Sequence, residues 1–142
     1  MRPSVECWLV SGGADGDRRV LLLRRRPSRR GLQCWQAVTG GMEPGESPEE
    51  ACVREVREET GIRISSDAVR ALDLAFEFPV PEDGWVVHKR VFVAEAAEQP
   101  VALSAEHVDA RWVEPDEVDG MLYWDTCHAA FGRLREVLGL DG

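Results

Sequence analysis

The chain has a single lysine, Lys89, and it follows His88 rather than a glycine-rich loop. A Walker-type phosphate cradle, which needs a lysine closing a glycine loop, is thereby excluded. Long apolar runs are missing as well: stretches such as Val20–Leu23 fall far short of the ~20 residues that cross a bilayer. The first seven residues, Met1 to Cys7, contain one arginine but no apolar core of the kind a secretory leader carries. The expected address is the cytoplasm, with no membrane partner. Cysteine pairing is absent too. Cys7, Cys34, Cys52 and Cys127 form no Cys-x-x-Cys pair and have no histidine at zinc spacing, so they read as reduced, mostly buried thiols. Basic charge is scarce, with 17 Lys and Arg against 26 Asp and Glu and a net charge of −9. A general nucleic-acid binder needs a basic face, so no nucleic-acid polymer is expected as partner.

What is present describes one ordinary domain spanning 1–142. Hydrophobic residues make up 44% and charged residues 30%, the balance of a soluble globular chain. No repeat or linker divides it. Glu6–Val10 and Val20–Arg24 read as strands joined in a hairpin by the turn Ser11–Asp17. Trp35–Thr39 is a short strand running into Gly40-Gly41. Ala71–Phe78 and Trp85–Ala94 are further strands, separated by Pro79, Pro81 and Asp83-Gly84, and Ala110–Val113 is another. Asp125 is placed to cap a last helix from about Thr126 to Leu138, with Phe131, Leu134 and Leu138 on one face and Gly139 as its stop. Strands with helices between and after them imply an α/β arrangement, a mixed sheet covered by helices.

The best-defined element is central. Ser47-Pro48-Glu49-Glu50 is a capping box and Gly61 a natural terminator, which predicts a helix from about Pro48 to Thr60. Val53 and Val56 can face the core. Glu55, Glu58 and Glu59 stand at i, i+3 and i+4, so their carboxylates crowd one stripe and repel by a few tenths of a kcal/mol per pair. Arg54 relieves part of that. A solvated acidic face is one reading of such a run; a seat for a hard divalent cation is the other. The upstream loop brings Gly40-Gly41 and a fourth carboxylate, Glu46, toward the helix.

Gly40, five residues, Glu46, seven residues, then Arg54-Glu55-Val56-Arg57-Glu58-Glu59-Thr60-Gly61-Ile62 resembles the Nudix box at every constrained position. The resemblance implies the Nudix fold, an α/β/α sandwich with a central mixed sheet. It also implies metal-assisted hydrolysis of a nucleoside diphosphate linked to another group, with Mg2+ as cofactor and Mn2+ as substitute. Carried over, Glu55, Glu58 and Glu59 become metal ligands, joined by the Gly40 carbonyl. Arg54 orients a box glutamate, Gly61 closes the helix and Glu46 supports the loop or the metal's outer shell. Glu55 is the first candidate general base, so Glu55, Glu58 and Arg54 form the expected catalytic set.

The lead-in Trp35-Gln36-Ala37-Val38-Thr39-Gly40 resembles that of dihydroneopterin triphosphate pyrophosphatases. Glu106-His107 ahead of Arg111-Trp112-Val113 is similar to the segment where those enzymes and diadenosine tetraphosphate hydrolases place an extra metal-binding glutamate, here Glu106. Trp124-Asp125-Thr126 is similar to their Trp-Ser-Asn, with Thr126 and Cys127 standing where Asn-Arg is usual. The expected substrate is therefore a small phosphorylated molecule, a nucleoside triphosphate or dihydroneopterin triphosphate. A dinucleoside polyphosphate is the alternative within the enzyme class. A non-catalytic nucleotide-binding module is the alternative outside it. Arg24, Arg25, Arg26, Arg29 and Arg30 offer guanidinium groups to phosphate oxygens. Arg26, Arg30, Trp35 and Thr39 are the candidate substrate contacts, and monomer and homodimer stay open. The charge is also unevenly spread. Residues 1–39 hold eight Arg against three acids, while the box, 40–62, holds seven Glu against two Arg. A basic segment that can meet phosphate directly is followed by an acidic one that needs a cation to do so.

Overall fold

The computed structural model describes residues 1–12, 17–27 and 34–140. Its strands are β1 (Arg2–Val10), β2 (Val20–Arg25), β3 (Trp35–Gln36), β4 (Val38–Gly41), β5 (Arg70–Val80), β6 (Trp85–Glu95) and β7 (His107–Val113). Its helices among the described residues are α1 (Pro48–Thr60), the short α2 (Pro115–Val118) and α3 (Asp125–Leu138), with a 3-10 turn at Ser66–Ala68.

All seven strands join one mixed sheet. β1 lies at its centre. It runs parallel to β6 from Arg2↔Val87 to Val10↔Glu95, and antiparallel to β4 from Ser4↔Gly41 to Cys7↔Val38. β2 pairs antiparallel with β7 and with β3, and β5 closes the far edge against β6. Because side chains alternate across a strand, the central strands feed two cores. Val5, Cys7, Leu9, Leu21, Leu23 and Phe92 point to one face, where Ala51, Cys52 and Val56 of α1 cover them. Trp8, Val10, Val20, Leu22, Val91 and Val93 point to the other, under Ala130, Phe131 and Leu134 of α3. Trp8 and Phe131 stack at 5.9 Å between ring centroids. The result is the expected sandwich with helices on both faces of a mixed sheet.

The hairpin expected for the first two strands is reduced to one antiparallel pair, Val10↔Val20. The intervening residues 13–16 lie outside those described. β1 spends its remaining length on β4, over four pairs, and on β6, over nine. Trp35–Thr39 divides into β3 and β4, which serve different partners, β2 and β1. β5 continues through Pro79 to Val80; an edge strand has a free side on which a missing N–H costs nothing. α3 starts at Asp125, with Trp124 as its cap residue and no side-chain capping bond, so Asp125 acts as a first-turn acid and not as the cap. Gly139 ends that helix in the left-handed conformation, as expected. All four cysteines are buried free thiols. No helix among the described residues is long and apolar enough to cross a membrane.

Candidate active site

α1 holds its place through its ends. Ser47 Oγ accepts from the Glu50 N–H at 3.1 Å and Glu50 Oε1 accepts from the Ser47 N–H at 2.8 Å, the reciprocal bonds of a capping box. At the other end Gly61 sits at φ 76°, where a side chain would be strained, and its N–H donates to the Arg57 carbonyl. Val56 is fully buried on the sheet side, which turns the Glu55 and Glu59 side toward β4 and the start of β7.

Arg54 organises the loop below. Its Nε and Nη2 grip both oxygens of Glu46 at 2.7 and 2.9 Å. Nη1 reaches Glu55 at 2.8 Å and Glu58 at 3.3 Å, and Nη2 also donates to the Gly41 carbonyl at 2.8 Å. All five guanidinium N–H groups are thereby engaged, a fan that lysine could not reproduce. The pairing holds Glu46 below the usual carboxylate range and Arg54 above its own. Arg54 therefore orients two box glutamates at once and ties them to Glu46.

Gly40 is where β4 meets this cluster. A Cβ there would lie 2.2 Å from the Glu55 carboxyl carbon and 2.4 Å from both its oxygens, so only glycine lets the carboxylate rest on the strand. The Gly40 carbonyl accepts from Ser4 Oγ at 2.7 Å, which uses one of its two lone pairs. Glu59 is the most constrained acid of the set, with its side chain 4% exposed. Burial, then the hydrogen bond and charge of Glu55, then the charge of Glu106 push its carboxyl up to about 9, against a bond from the Thr39 N–H. Its Oε1 has no hydrogen-bond partner, and neither does His107 Nδ1, 3.9 Å away. Burial lowers the His107 imidazole, which favours its neutral form.

A buried carboxylate with an empty oxygen, crowded by two further carboxylates, is a group that a divalent cation would stabilise. The donor set is all oxygen apart from His107, the chemistry magnesium takes. The residues present therefore fit such an ion. Among the described residues no three acidic, histidine or cysteine side chains already stand close enough together to hold a metal ion between them. Glu58 stays 57% exposed at the rim, within reach of Arg54.

Beside this cluster, on the α3 face of the sheet, lies a cleft of about 690 Å³. Glu6, Arg25, Gln36, Thr39, Phe76, Phe78, Lys89, Trp124, Thr126 and Cys127 are among its walls. Two of these join it to the glutamates: Thr39 donates its N–H to Glu59, and Gln36 Nε2 stands 3.4 Å from His107 Nε2. Burial pushes the Cys127 thiol up to about 12, so it lines the cleft as a neutral group and not as a nucleophile.

The sequence-derived candidates distribute as follows. Gly40, Glu46, Arg54, Glu55, Glu58, Glu59 and Gly61 gather around the end of β4 and along α1. Glu106 stands exposed just before β7 and acts on Glu59 through its charge. Thr39 lines the cleft. Trp35 packs against the α3-side core under the Arg111 guanidinium, 5.1 Å from its ring, and is not among the cleft's described walls. Arg26 donates to the Ala105 carbonyl at 2.8 Å and so braces the segment that leads through Glu106 into β7, while Arg25 faces the cleft. Arg29 and Arg30 lie outside the described residues. His107, Glu6 and Gln36 belong to the site although none of them is among the residues expected there. His107 had a signal in its adjacency to Glu106; Glu6 had only its alternation with Trp8.

The site thus combines a sheet between two helical layers, a capped acidic helix set against a glycine strand end, and a polar cleft. The NUDIX domain family model matches residues 2–133, and the chain belongs to this family, whose hydrolases use divalent metals. The chain is 41% identical over 111 residues to an octanoyltransferase of Myxococcus xanthus, covering 74% of this chain and 29% of that one. It is 38% identical over 60 residues to the dihydroneopterin triphosphate diphosphatase of Escherichia coli, covering 42% of this chain and 38% of the relative. The chain thus spans well under half the length of these two relatives. The crystal structure of a NUDIX hydrolase from Listeria monocytogenes superposes with a TM-score of 0.78 at 26% identity, covering 96% of this chain and 93% of that one.

Proposed function

We propose that this chain is a magnesium-dependent pyrophosphohydrolase that cleaves a nucleoside triphosphate or dihydroneopterin triphosphate to the monophosphate and pyrophosphate. The observation that carries the reading is Glu59: buried, short of a partner on Oε1, and joined through Thr39 to the cleft. Glu55, Glu58 and Glu59 would hold the cation with the Gly40 carbonyl, and Glu106 would add charge from the start of β7. When bound, the cation supplies neutralisation of phosphate charge and a lowered pKa for water. Glu55, fixed by Arg54 on one side and Gly40 on the other, accepts the proton of the attacking water. Arg25 meets phosphate oxygens from the cleft side. The likeness to the Escherichia coli dihydroneopterin triphosphate diphosphatase supports a triphosphate as substrate.

The test is a panel of nucleoside triphosphates, dihydroneopterin triphosphate and diadenosine tetraphosphate with magnesium or manganese, with products separated chromatographically. Wild type should turn over a triphosphate, and Glu58→Gln and Glu59→Gln should each lose turnover by on the order of 100-fold or more. Faster release of ATP from diadenosine tetraphosphate would replace the triphosphate reading by a dinucleoside one. Tight binding without turnover across the panel would make the chain a nucleotide-binding module.

A further inference from the structure

The cleft contains a group that the proposed chemistry does not use. Glu6 lies on β1, facing the α3 side, and is 6% exposed in the cleft wall. Trp8 Nε1 donates to its Oε2 at 2.8 Å, and among the described residues this is its one hydrogen bond. A carboxylate offers about four lone-pair sites, so acceptor capacity remains. The register places Lys89 on the same face: Ser4 pairs with Lys89 and Glu6 with Val91 in the parallel ladder. Lys89 is close enough for its charge to act on Glu6, and its Nζ lies 5.4 Å from the Phe78 ring. Phe76, cross-strand from Lys89, and Trp124 supply further aromatic walls. Burial raises the Glu6 carboxyl, while the Lys89 charge and the Trp8 N–H pull it back toward the ionised form. Incoming N–H donors would add to that pull.

In an aromatic slot, a carboxylate able to accept two N–H groups beside a donor-only ammonium is filled completely by one kind of ring edge. Adenine shows an amino donor next to a ring acceptor, cytosine an amino donor next to two acceptors, and uracil a single donor between two carbonyls. Two adjacent N–H donors followed by a carbonyl occur in the 2-amino-4-oxopyrimidine ring shared by guanine and pterin. We propose that Glu6 and Lys89 are specificity-determining residues that read this edge, Glu6 accepting its two N–H groups and Lys89 donating to its carbonyl. This deepens the triphosphate reading by naming the base, and it holds for guanine and pterin alike.

The experiment measures kcat/KM with GTP, dihydroneopterin triphosphate and ATP, and Kd for non-hydrolysable guanosine and adenosine triphosphate analogues, on wild type, Glu6→Gln and Lys89→Met. Glutamine keeps the shape of Glu6 and can still accept from Trp8, but it turns a donor toward the base. Wild type should favour the 2-amino-4-oxo substrates over ATP. Glu6→Gln should cut the guanosine-to-adenosine ratio by about 10- to 100-fold, the discrimination typical of one bidentate pair. Comparing GTP with the pterin triphosphate tells which of the two rings the slot prefers. An unchanged ratio in Glu6→Gln, or equal loss on both bases at unchanged melting temperature, overturns the inference while leaving pyrophosphohydrolysis standing. If no triphosphate turns over, the Kd ratio decides alone: a Glu6-dependent guanosine preference upholds base reading though the enzyme reading fails. Should Glu6→Gln not fold, Lys89→Met must lower the same ratio, and no change there overturns the inference.

Discussion

Replacing Glu59 by glutamine should make the metal-free protein less sensitive to rising pH. Burial and the neighbouring carboxylates lift the folded-state carboxyl from an ordinary value of 4.5 to about 9. Between these two values the folded chain holds a proton that the unfolded chain has released. Stability is therefore full below pH 4.5 and is lost as pH rises toward about 9. The limit for one proton is about 1.4 kcal/mol per pH unit, whatever the size of the shift. From pH 5.5 to 7.5 wild type should thus lose up to about 3 kcal/mol that Glu59→Gln, which cannot ionise, keeps. With the side chain 4% exposed, solvent screening removes little of this. Coupling to Glu55 spreads the titration but leaves its sign. The assay is urea unfolding at several pH values with EDTA throughout, so that traces of metal do not stabilise the ionised form. Stability curves for wild type and Glu59→Gln that run parallel across this window would refute the reasoning.

Three further outcomes follow from the same geometry. Gly40→Ala would bring a Cβ within 2.2 Å of the Glu55 carboxyl and displace it. Turnover should fall by on the order of 100-fold, as for an angstrom-scale misplacement, with far-ultraviolet circular dichroism unchanged. Arg54→Lys keeps the charge but loses most of the five-bond fan, and should cost about 1–3 kcal/mol in urea unfolding together with a marked fall in kcat. Ser47→Ala removes half of the capping box and should cost about 1 kcal/mol, while KM stays within error.

α1 was readable to the residue because its signals are local: a serine with glutamate three positions on, a proline in the first turn, and a glycine stop. The glutamate stripe came with it, since helical spacing alone fixes which carboxylates are neighbours. The sheet depends on pairings between distant segments. Nothing in residues 2–10 announces that they run parallel to 87–95, and β1 gave up its hairpin for that ladder. The cleft shares this origin. Glu6 and Lys89 come together only through the β1–β6 register, so the sequence presents them as an isolated acid and the sole lysine. His107 was hidden for a different reason. Glu106 is the charged and exposed residue of the pair, while strand alternation buries His107 beside Glu59. Trp35, expected as a substrate contact, packs against the α3-side core and is not among the cleft's described walls.

The most direct measurement is the product balance of wild type with GTP and with dihydroneopterin triphosphate, resolved by ion chromatography in magnesium and again in EDTA. Metal-dependent pyrophosphohydrolysis predicts equal amounts of monophosphate and pyrophosphate in magnesium and none in EDTA. Orthophosphate with a diphosphate product, or turnover that persists in EDTA, would contradict it.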